Sequence, residues 1–180
     1  MEIGTNNKHF EERDVFSNNR NSILLSSSID IRTRVDLFTC FLDSQNGLYS
    51  SLFKKPEGVE LNLLEDASNY SSMGVPYYDC RDWAFDNVGL YKYSWREGND
   101  VANKLRFEDL PDIQWIPKPE RGSIVMYFNL KNVTHWGIVD KIEEDIYINS
   151  KWGEGHIYNH TLDCIPMEYG NYAEFFRVHQ

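Results

Sequence analysis

Apolar and polar positions are distributed differently in the two halves of the chain. Residues 1–22 are rich in Asn, Glu, Arg and Ser and carry few large apolar groups, which indicates a mobile arm or a short helix. Apolar residues near helical spacing then predict a helix over about 31–44. Proline and glycine interrupt residues 53–75, so that stretch is expected to be loop with a short helical piece.

A sharper helical pattern begins at residue 79 and runs to about residue 87. Four residues share one face at helical spacing: Cys80, Trp83, Ala84 and Val88. Asp79 is a favourable N-cap because its carboxylate can accept the unpaired N–H groups of the first turn. Gly89 is the expected C-terminal stop, so the pattern places Cys80 at the start of a short helix.

After Pro119 the pattern becomes that of β-strands separated by turn residues. Runs rich in apolar and β-branched residues occupy 122–128, 135–142 and 145–151, and a last run lies at 174–178. Short runs at this spacing predict an antiparallel meander. Because the helical patterns come first and the strands later, the chain is expected to be α+β rather than alternating βαβ.

Composition and charge narrow the classes of function. With 180 residues, 41% of them apolar, the chain fits one globular domain with an accessory segment. Its net charge of −10 at pH 7 argues against binding to nucleic acid or to an anionic membrane surface, and it is compatible with a basic protein partner. The longest apolar runs are far too short to span a bilayer.

The cysteine count and the N-terminal residues bear on the compartment. Three cysteines cannot all pair within the chain, and none of their spacings matches a zinc knuckle, so we expect reduced thiols and no cofactor. The first residues lack the basic and apolar regions of a secretory signal. We therefore expect a cytoplasmic protein, or one exported by a route that does not use a signal peptide.

Cys80 and His135 are the candidate nucleophile and base. At the start of a helix, Cys80 would lie at the positive end of the helix dipole, which favours the thiolate. His135 opens the second strand of the predicted meander, where its imidazole could take the thiol proton and form an ion pair with the sulfur. A third polar group must then fix the tautomer of the ring.

The third group is expected on the next strand. Asn149 and Ser150 both lie there and point to opposite faces, so at most one of them can serve. Asn149 is favoured by residue type because its amide oxygen can accept from the imidazole N–H, and Ser150 is the alternative. His160 could instead orient the base, bind a ligand or brace the neighbouring loop. His156 and His160 are four residues apart on strand or loop, which does not favour a metal site.

Residues just before the nucleophile would complete the site. Backbone N–H groups at the helix start can form an oxyanion hole. Tyr78 could add its hydroxyl as a further donor. Asp79 is expected to position Cys80 as the helix cap, because an ionised carboxylate stabilises an oxyanion poorly.

These motifs, in this order, resemble the NlpC-like branch of the papain-like cysteine peptidases. In that branch a cysteine at a helix start is followed by a histidine and then a polar residue on adjacent strands. Residues 77–178 are more narrowly similar to an uncharacterised bacterial NlpC-like domain family. The segments that carry this similarity are Tyr78-Asp79-Cys80, Thr134-His135, Ser150-Lys151-Trp152-Gly153, His160 and Tyr169-Gly170. One position departs from the narrow family, since Asp79 stands where Asn is usual there.

The resemblance implies a papain-like α+β fold in which the nucleophile, at a helix N-terminus, packs on a small antiparallel sheet. Residues 77–180 would form the NlpC-like catalytic core, and residues 1–76 an N-terminal arm with a mainly helical extension. The implied activity is that of a cysteine hydrolase that cleaves or transfers an acyl group at a peptide-like amide. Peptidoglycan-like peptides are the leading substrate, and deamidation or transglutamination by the same residues stays open.

Under a second hypothesis, the chain has the papain-like fold but no catalytic activity. The chain would then be a catalytically silent papain-like interaction or effector module, in which residues 1–76 bind a protein partner. Full biological effect in a Cys80→Ala variant would favour this second hypothesis.

Overall fold

A computed structural model describes most of the chain from residue 110 onwards and shorter stretches before it. The described residues are 10–13, 20–25, 33–34, 37, 58–65, 79–90, 110–129, 132–153 and 155–179. They contain nine β-strands and one complete α-helix. The strands are β1 (Phe10–Arg13), β2 (Arg20–Leu24), β3 (Leu61–Glu65), β4 (Ile113–Ile116), β5 (Ile124–Asn129), β6 (Asn132–Ile142), β7 (Ile146–Lys151), β8 (Ile157–Thr161) and β9 (Tyr172–Val178). The helices are α1 (Cys80–Asn87) and a short 3-10 helix (Met167–Tyr169).

The nine strands form one antiparallel sheet. Their order across the sheet is β1-β2-β9-β5-β6-β7-β8-β3, and β4 pairs with β9 beside this path. Strands β5 to β8 form the meander in which each strand pairs with the next. The predicted last strand is present as β9, which pairs with β5. The strands predicted after Pro119 are therefore confirmed to within a few residues.

Alternating side chains give the sheet two apolar faces. Tyr127 and Ile148 belong to the larger core cluster, on one face. Met126 points to the opposite face and belongs to a cluster that includes Phe85 of α1. The Phe85 ring meets the ring of Trp136 edge-on, with 5.2 Å between centroids. Helix α1 therefore covers the second face, beside the strand that carries His135.

Helix α1 begins and ends as the sequence predicts. Asp79 is its N-cap, and the carboxylate accepts from the backbone N–H groups of Arg81 at 2.9 Å and Asp82 at 3.0 Å. Gly89 follows the last turn with φ of +79°, a left-handed conformation that favours glycine. Cys80 is thus the first residue of a capped helix.

The expected papain-like α+β fold with a mainly helical N-terminal extension is wrong. The described part is dominated by one antiparallel sheet, and residues 1–76 contribute three of its strands. Strand β2 pairs with β9 and β3 pairs with β8, so the N-terminal strands extend the sheet beyond the meander on both sides. The sequence conceals β1 and β2 because short, mostly polar strands carry no clear period-two signal.

The N-terminal residues also depart from their individual predictions. Residues 10–13 and 20–22 lie in strands, where the composition indicated a mobile arm or a short helix. Thr33, Arg34 and Leu37 are helical, in agreement with the helix predicted over 31–44. The rest of that predicted helix lies outside the described residues.

Candidate active site

Cys80 lies where α1 meets the strand that carries His135. Its sulfur accepts hydrogen bonds from two backbone N–H groups, those of Trp136 and Arg81. Trp136 directly follows His135 on β6, and the pairing of β6 with β7 begins only at Ile138. The first residue of α1 therefore docks on β6 just beyond the end of the β6–β7 ladder.

The surroundings of Cys80 raise the pKa of its thiol to about 12. Burial is the largest cause, and the neighbouring Asp79 carboxylate adds to it, because both disfavour a negative charge on sulfur. The N–H groups of Trp136 and Arg81 favour the thiolate and do not outweigh these effects. These surroundings therefore favour the neutral thiol, against the thiolate expected from the helix dipole.

His135 is fully buried on the face of the sheet that carries Tyr127. Two tyrosine rings flank its imidazole: Tyr127 at 5.5 Å, tilted, and Tyr169 at 3.7 Å, stacked with an interplanar angle of 1°. Within the described stretches neither ring nitrogen has a hydrogen-bond partner, so no hydrogen bond joins the imidazole to the Cys80 thiol. Burial, together with the nearby His160, lowers the pKa of His135 well below its ordinary value, so the ring is neutral.

Tyr169 links the candidate nucleophile to the candidate base. Its ring stacks on His135, and its hydroxyl is buried. Burial and the proximity of Cys80 raise the pKa of that hydroxyl well above its ordinary value. Cys80 is thus close enough to Tyr169 to affect the tyrosine hydroxyl, and Tyr169 stacks on His135, which lies on the face of the sheet opposite to the one that α1 covers. Sequence reasoning assigned Tyr169 no role, and its only signal is the Tyr169-Gly170 pair within the resemblance.

Asn149 points away from the base. It pairs with Ile138, whose side chain packs in the cluster beneath α1. The Asn149 Oδ1 accepts from Asn159 Nδ2 at 2.7 Å, and the same nitrogen lies 3.2 Å from Asp140 Oδ2. The Asn149 carboxamide is therefore engaged on the face opposite to His135.

Ser150 lies on the same face of the sheet as His135 and forms a hydrogen bond with a different histidine, His160. Its Oγ lies 2.7 Å from His160 Nε2. Because His160 Nδ1 donates to the Thr161 carbonyl at 2.8 Å, Nε2 is the acceptor and the Ser150 hydroxyl donates to it. Trp152 Nε1 donates to the same oxygen at 3.2 Å. Neither Ser150 nor the other predicted orienters bonds to His135 within the described residues.

Tyr78 and Asp79 directly precede the candidate nucleophile. Tyr78, the predicted oxyanion donor, lies outside the described residues. Asp79 caps α1 and so fixes the position of Cys80, as predicted. The backbone N–H groups that reach the Cys80 sulfur can stabilise negative charge there when a substrate is attacked or released.

A groove of about 580 Å³ lies at the other end of α1. It is lined by residues that follow the helix, such as Gly89, and by the exposed ion pair of Glu120 and Arg177. It includes neither Cys80 nor His135 and is not the cleft of the candidate site. The described residues hold no cluster of three or more His, Cys, Asp or Glu side chains suited to a metal ion.

Comparison with protein-family models, with curated proteins and with solved structures finds no match for this chain. None of the described helices has both the length and the apolar character needed to cross a membrane.

Proposed function

We propose that the chain is a cysteine hydrolase that cleaves or transfers an acyl group at a peptide-like amide, with Cys80 as nucleophile and His135 as base. One observation carries this proposal. The Cys80 thiol begins a capped helix and accepts from the backbone of Trp136, the residue that follows His135. Tyr169 stacks on His135 and is close enough to Cys80 for the sulfur to affect the tyrosine hydroxyl, so a thiol, an imidazole and backbone donors lie near one tyrosine.

The protonation states favour general-base catalysis over a preformed ion pair. The pKa of Cys80 is raised to about 12 and that of His135 is lowered, so both groups are neutral before substrate binds. A neutral imidazole can accept a proton, and a thiol of high pKa gives up its proton as the sulfur attacks, as a serine hydroxyl does in a Ser-His-Asp triad. Hydrogen bonds between such groups are often long before substrate binds, so the unbonded imidazole is compatible with this role.

The reaction then proceeds in two balanced steps. The Cys80 sulfur bonds to the carbonyl carbon while its proton passes to His135. The C–N bond breaks, the amine leaves with that proton, and a thioester remains on Cys80. Water then attacks the thioester with His135 as base, the C–S bond breaks, and the thiol recovers a proton. An amine in place of water would give acyl transfer.

The substrate class comes from the resemblance to NlpC-like cysteine peptidases. Peptide stems of the kind found in peptidoglycan are the leading candidates, because that branch acts on peptide-like amides. The net charge of −10 gives no attraction to acidic groups on such a stem, so recognition would rest on the amide and on side chains near the thiol.

Mass spectrometry on the full chain tests this function. Wild-type protein incubated with synthetic peptide stems should release a shortened peptide, and quenched samples should contain a thioester on the peptide that includes Cys80. Cys80→Ala should release none, and Cys164→Ala, which removes a free cysteine in the core, should behave as wild type. Equal cleavage by wild type and Cys80→Ala would exclude Cys80 as the nucleophile.

A second candidate function is a catalytically silent module that binds a protein partner. The observation that favours it is the neutral state of both groups. The raised pKa of Cys80 keeps its thiol protonated, and no described hydrogen bond orients the ring of His135. In that case Cys80→Ala would keep full biological effect, and no peptide stem would be cleaved by the wild type.

A further inference from the structure

The turn that carries Tyr169 is held by an arginine more than a hundred residues earlier. We refer to residues 165–171 as the tyrosine turn. The Arg34 guanidinium lies within hydrogen-bond distance of four oxygens in it: the carbonyls of Ile165, Pro166 and Gly170 and Oδ1 of Asn171, at 3.5, 3.4, 2.8 and 2.8 Å respectively. One side chain thus binds both ends of the tyrosine turn.

The opposite side of the tyrosine turn is fixed to the sheet. The Asn171 N–H donates to the Phe128 carbonyl of β5 at 3.0 Å. Gly170 lies so close to that carbonyl that a Cβ would overlap it, and its φ of +92° also favours glycine. The Thr134 hydroxyl lies 2.7 Å from the Tyr169 carbonyl. The turn is therefore clamped between Arg34 and the strands that flank His135.

Tyr169 transmits the position of this turn to the candidate base. Its ring lies parallel to the His135 ring with centroids 3.7 Å apart. Neither nitrogen of His135 has a hydrogen-bond partner among the described residues, where ring packing is the contact that orients the imidazole. A displacement of Tyr169 would therefore change the orientation of the imidazole.

We propose that Arg34 is a positioning residue for the Cys80–His135 site, acting through the tyrosine turn and the ring of Tyr169. This rests on the proposed function of that site. The planar fork of an arginine matches several carbonyl oxygens at once, which a lysine ammonium does not. Leu25 also reaches the turn, since its N–H donates to the Asn171 carbonyl at 2.8 Å. Residues from the N-terminal part of the chain thus control the geometry of the site.

The test uses the full chain with two substitutions at Arg34. Arg34→Gln removes the charged fork, and Arg34→Lys keeps the charge without the fork. Arg177→Gln is the matched control, because Arg177 is an exposed guanidinium that binds Glu120 through Nε at 2.9 Å and makes no described contact with the tyrosine turn.

Two readouts separate positioning from catalysis. The first is the proton resonance of the His135 ring, which the ring current of Tyr169 shifts upfield; Tyr169→Leu gives the value without that stacking. The second is acetylation of Cys80 by p-nitrophenyl acetate, followed by mass spectrometry of the peptide that contains it. His135→Asn assigns the resonance and gives the acetylation rate without the base.

Arg34→Gln should move the His135 resonance most of the way to its value in Tyr169→Leu. It should also slow acetylation of Cys80 about tenfold or more, since a misplacement of about 1 Å can cost about 100-fold in rate. Arg34→Lys should fall between this variant and the wild type, and Arg177→Gln should match the wild type in both readouts.

An unchanged His135 resonance in folded Arg34→Gln would overturn the positioning role. So would a change no larger than that in Arg177→Gln. Lack of acetylation in the wild type would contradict the proposed function alone, and the resonance would still decide the role of Arg34. If Arg34→Gln does not fold, Asn171→Ala removes one of the four acceptors and should shift the resonance in the same direction by less; no shift there would overturn the proposal.

Discussion

At the scale of single residues, Asp79 acts on Cys80 in two opposing ways. Its carboxylate accepts from the N–H groups of Arg81 and Asp82 and so begins α1 at a defined residue. The same charge helps to raise the pKa of the adjacent thiol. The group that positions the nucleophile therefore also keeps it protonated, and a substrate has to be attacked without a preformed thiolate.

Asp79→Asn should separate these two effects. The amide oxygen can still cap α1, while the loss of charge should lower the pKa of Cys80. Iodoacetamide reacts with the thiolate, so wild-type Cys80 should be alkylated more slowly than N-acetylcysteine at pH 7.5 and faster as the pH rises to 10. Asp79→Asn should react several-fold faster than wild type, because one pKa unit is about tenfold in thiolate. Mass spectrometry of the Cys80 peptide measures both rates.

The control for this experiment is Asp79→Ala, which removes the charge and the cap together. It should also react faster than wild type, and it should lose about 1 kcal/mol of stability as a lost N-cap does. Wild-type Cys80 that reacts faster than N-acetylcysteine at pH 7.5 would contradict the neutral thiol and restore the ion-pair mechanism.

At the scale of elements, the contact between β6 and β7 sets where His135 lies relative to Ser150. Gly137 stands two residues after His135, and its lack of a side chain lets the two strands approach closely. A Cβ at Gly137 would lie 2.6 Å from Ile148 Cγ2 and 3.1 Å from the Ser150 Cβ. Gly137 is therefore required by close packing, since its backbone is not in the left-handed region.

Gly137→Ala should destabilise the protein by about 1–3 kcal/mol, because the added methyl overpacks a buried contact between strands. Urea unfolding followed by tryptophan fluorescence measures this change. Ile148→Ala removes the nearest clashing atom, so the double variant should be less destabilised than the sum of the two single changes. Additive losses would show that the methyl group is accommodated elsewhere.

The elements with a strong local signal could be predicted from the sequence. Helix α1 has a cap, a glycine stop and an apolar face. Strands β5 to β7 are apolar runs separated by turn residues. The short strands β1 to β3 could not be predicted, because β2 and β3 depend on pairing with β9 and β8 far along the chain, and β1 depends on β2. Such pairing has no signature in the strand's own residues.

The residues of the candidate site could be predicted to the same extent as the helices and strands. Cys80 and His135 stand out by residue type and by their place at element ends. The choice between Asn149 and Ser150 depends on which face each one occupies after a bulge in the β6–β7 pairing between Val139 and Lys141. The alternation of side chains along a strand predicts only that Asn149 and Ser150 point to opposite faces.

At the scale of the whole molecule, the sheet buries two neutral histidines on neighbouring parts of one core. His135 on β6 and His160 on β8 are both fully buried. Burial lowers the pKa of His160 to about 4, and burial with the nearby His160 lowers that of His135 well below its ordinary value. Unfolded imidazoles titrate near pH 6.5, so below that pH the unfolded chain binds protons that the folded protein does not. Stability is therefore lost as the pH falls from about 6.5 towards 4.

His160→Gln should flatten this dependence, because it removes one imidazole that is neutral when folded and protonated when unfolded. Between pH 7.5 and pH 5 the wild type should lose about 2 kcal/mol more free energy of unfolding than the variant. Urea unfolding at both pH values gives the slopes, with His179→Gln, which replaces an exposed histidine, as the control that should match the wild type. Equal slopes in wild type and His160→Gln would mean that the buried ring takes up its proton without unfolding. The core beside His135 would then hold a charged His160, which would disfavour protonation of His135 and so keep that base neutral.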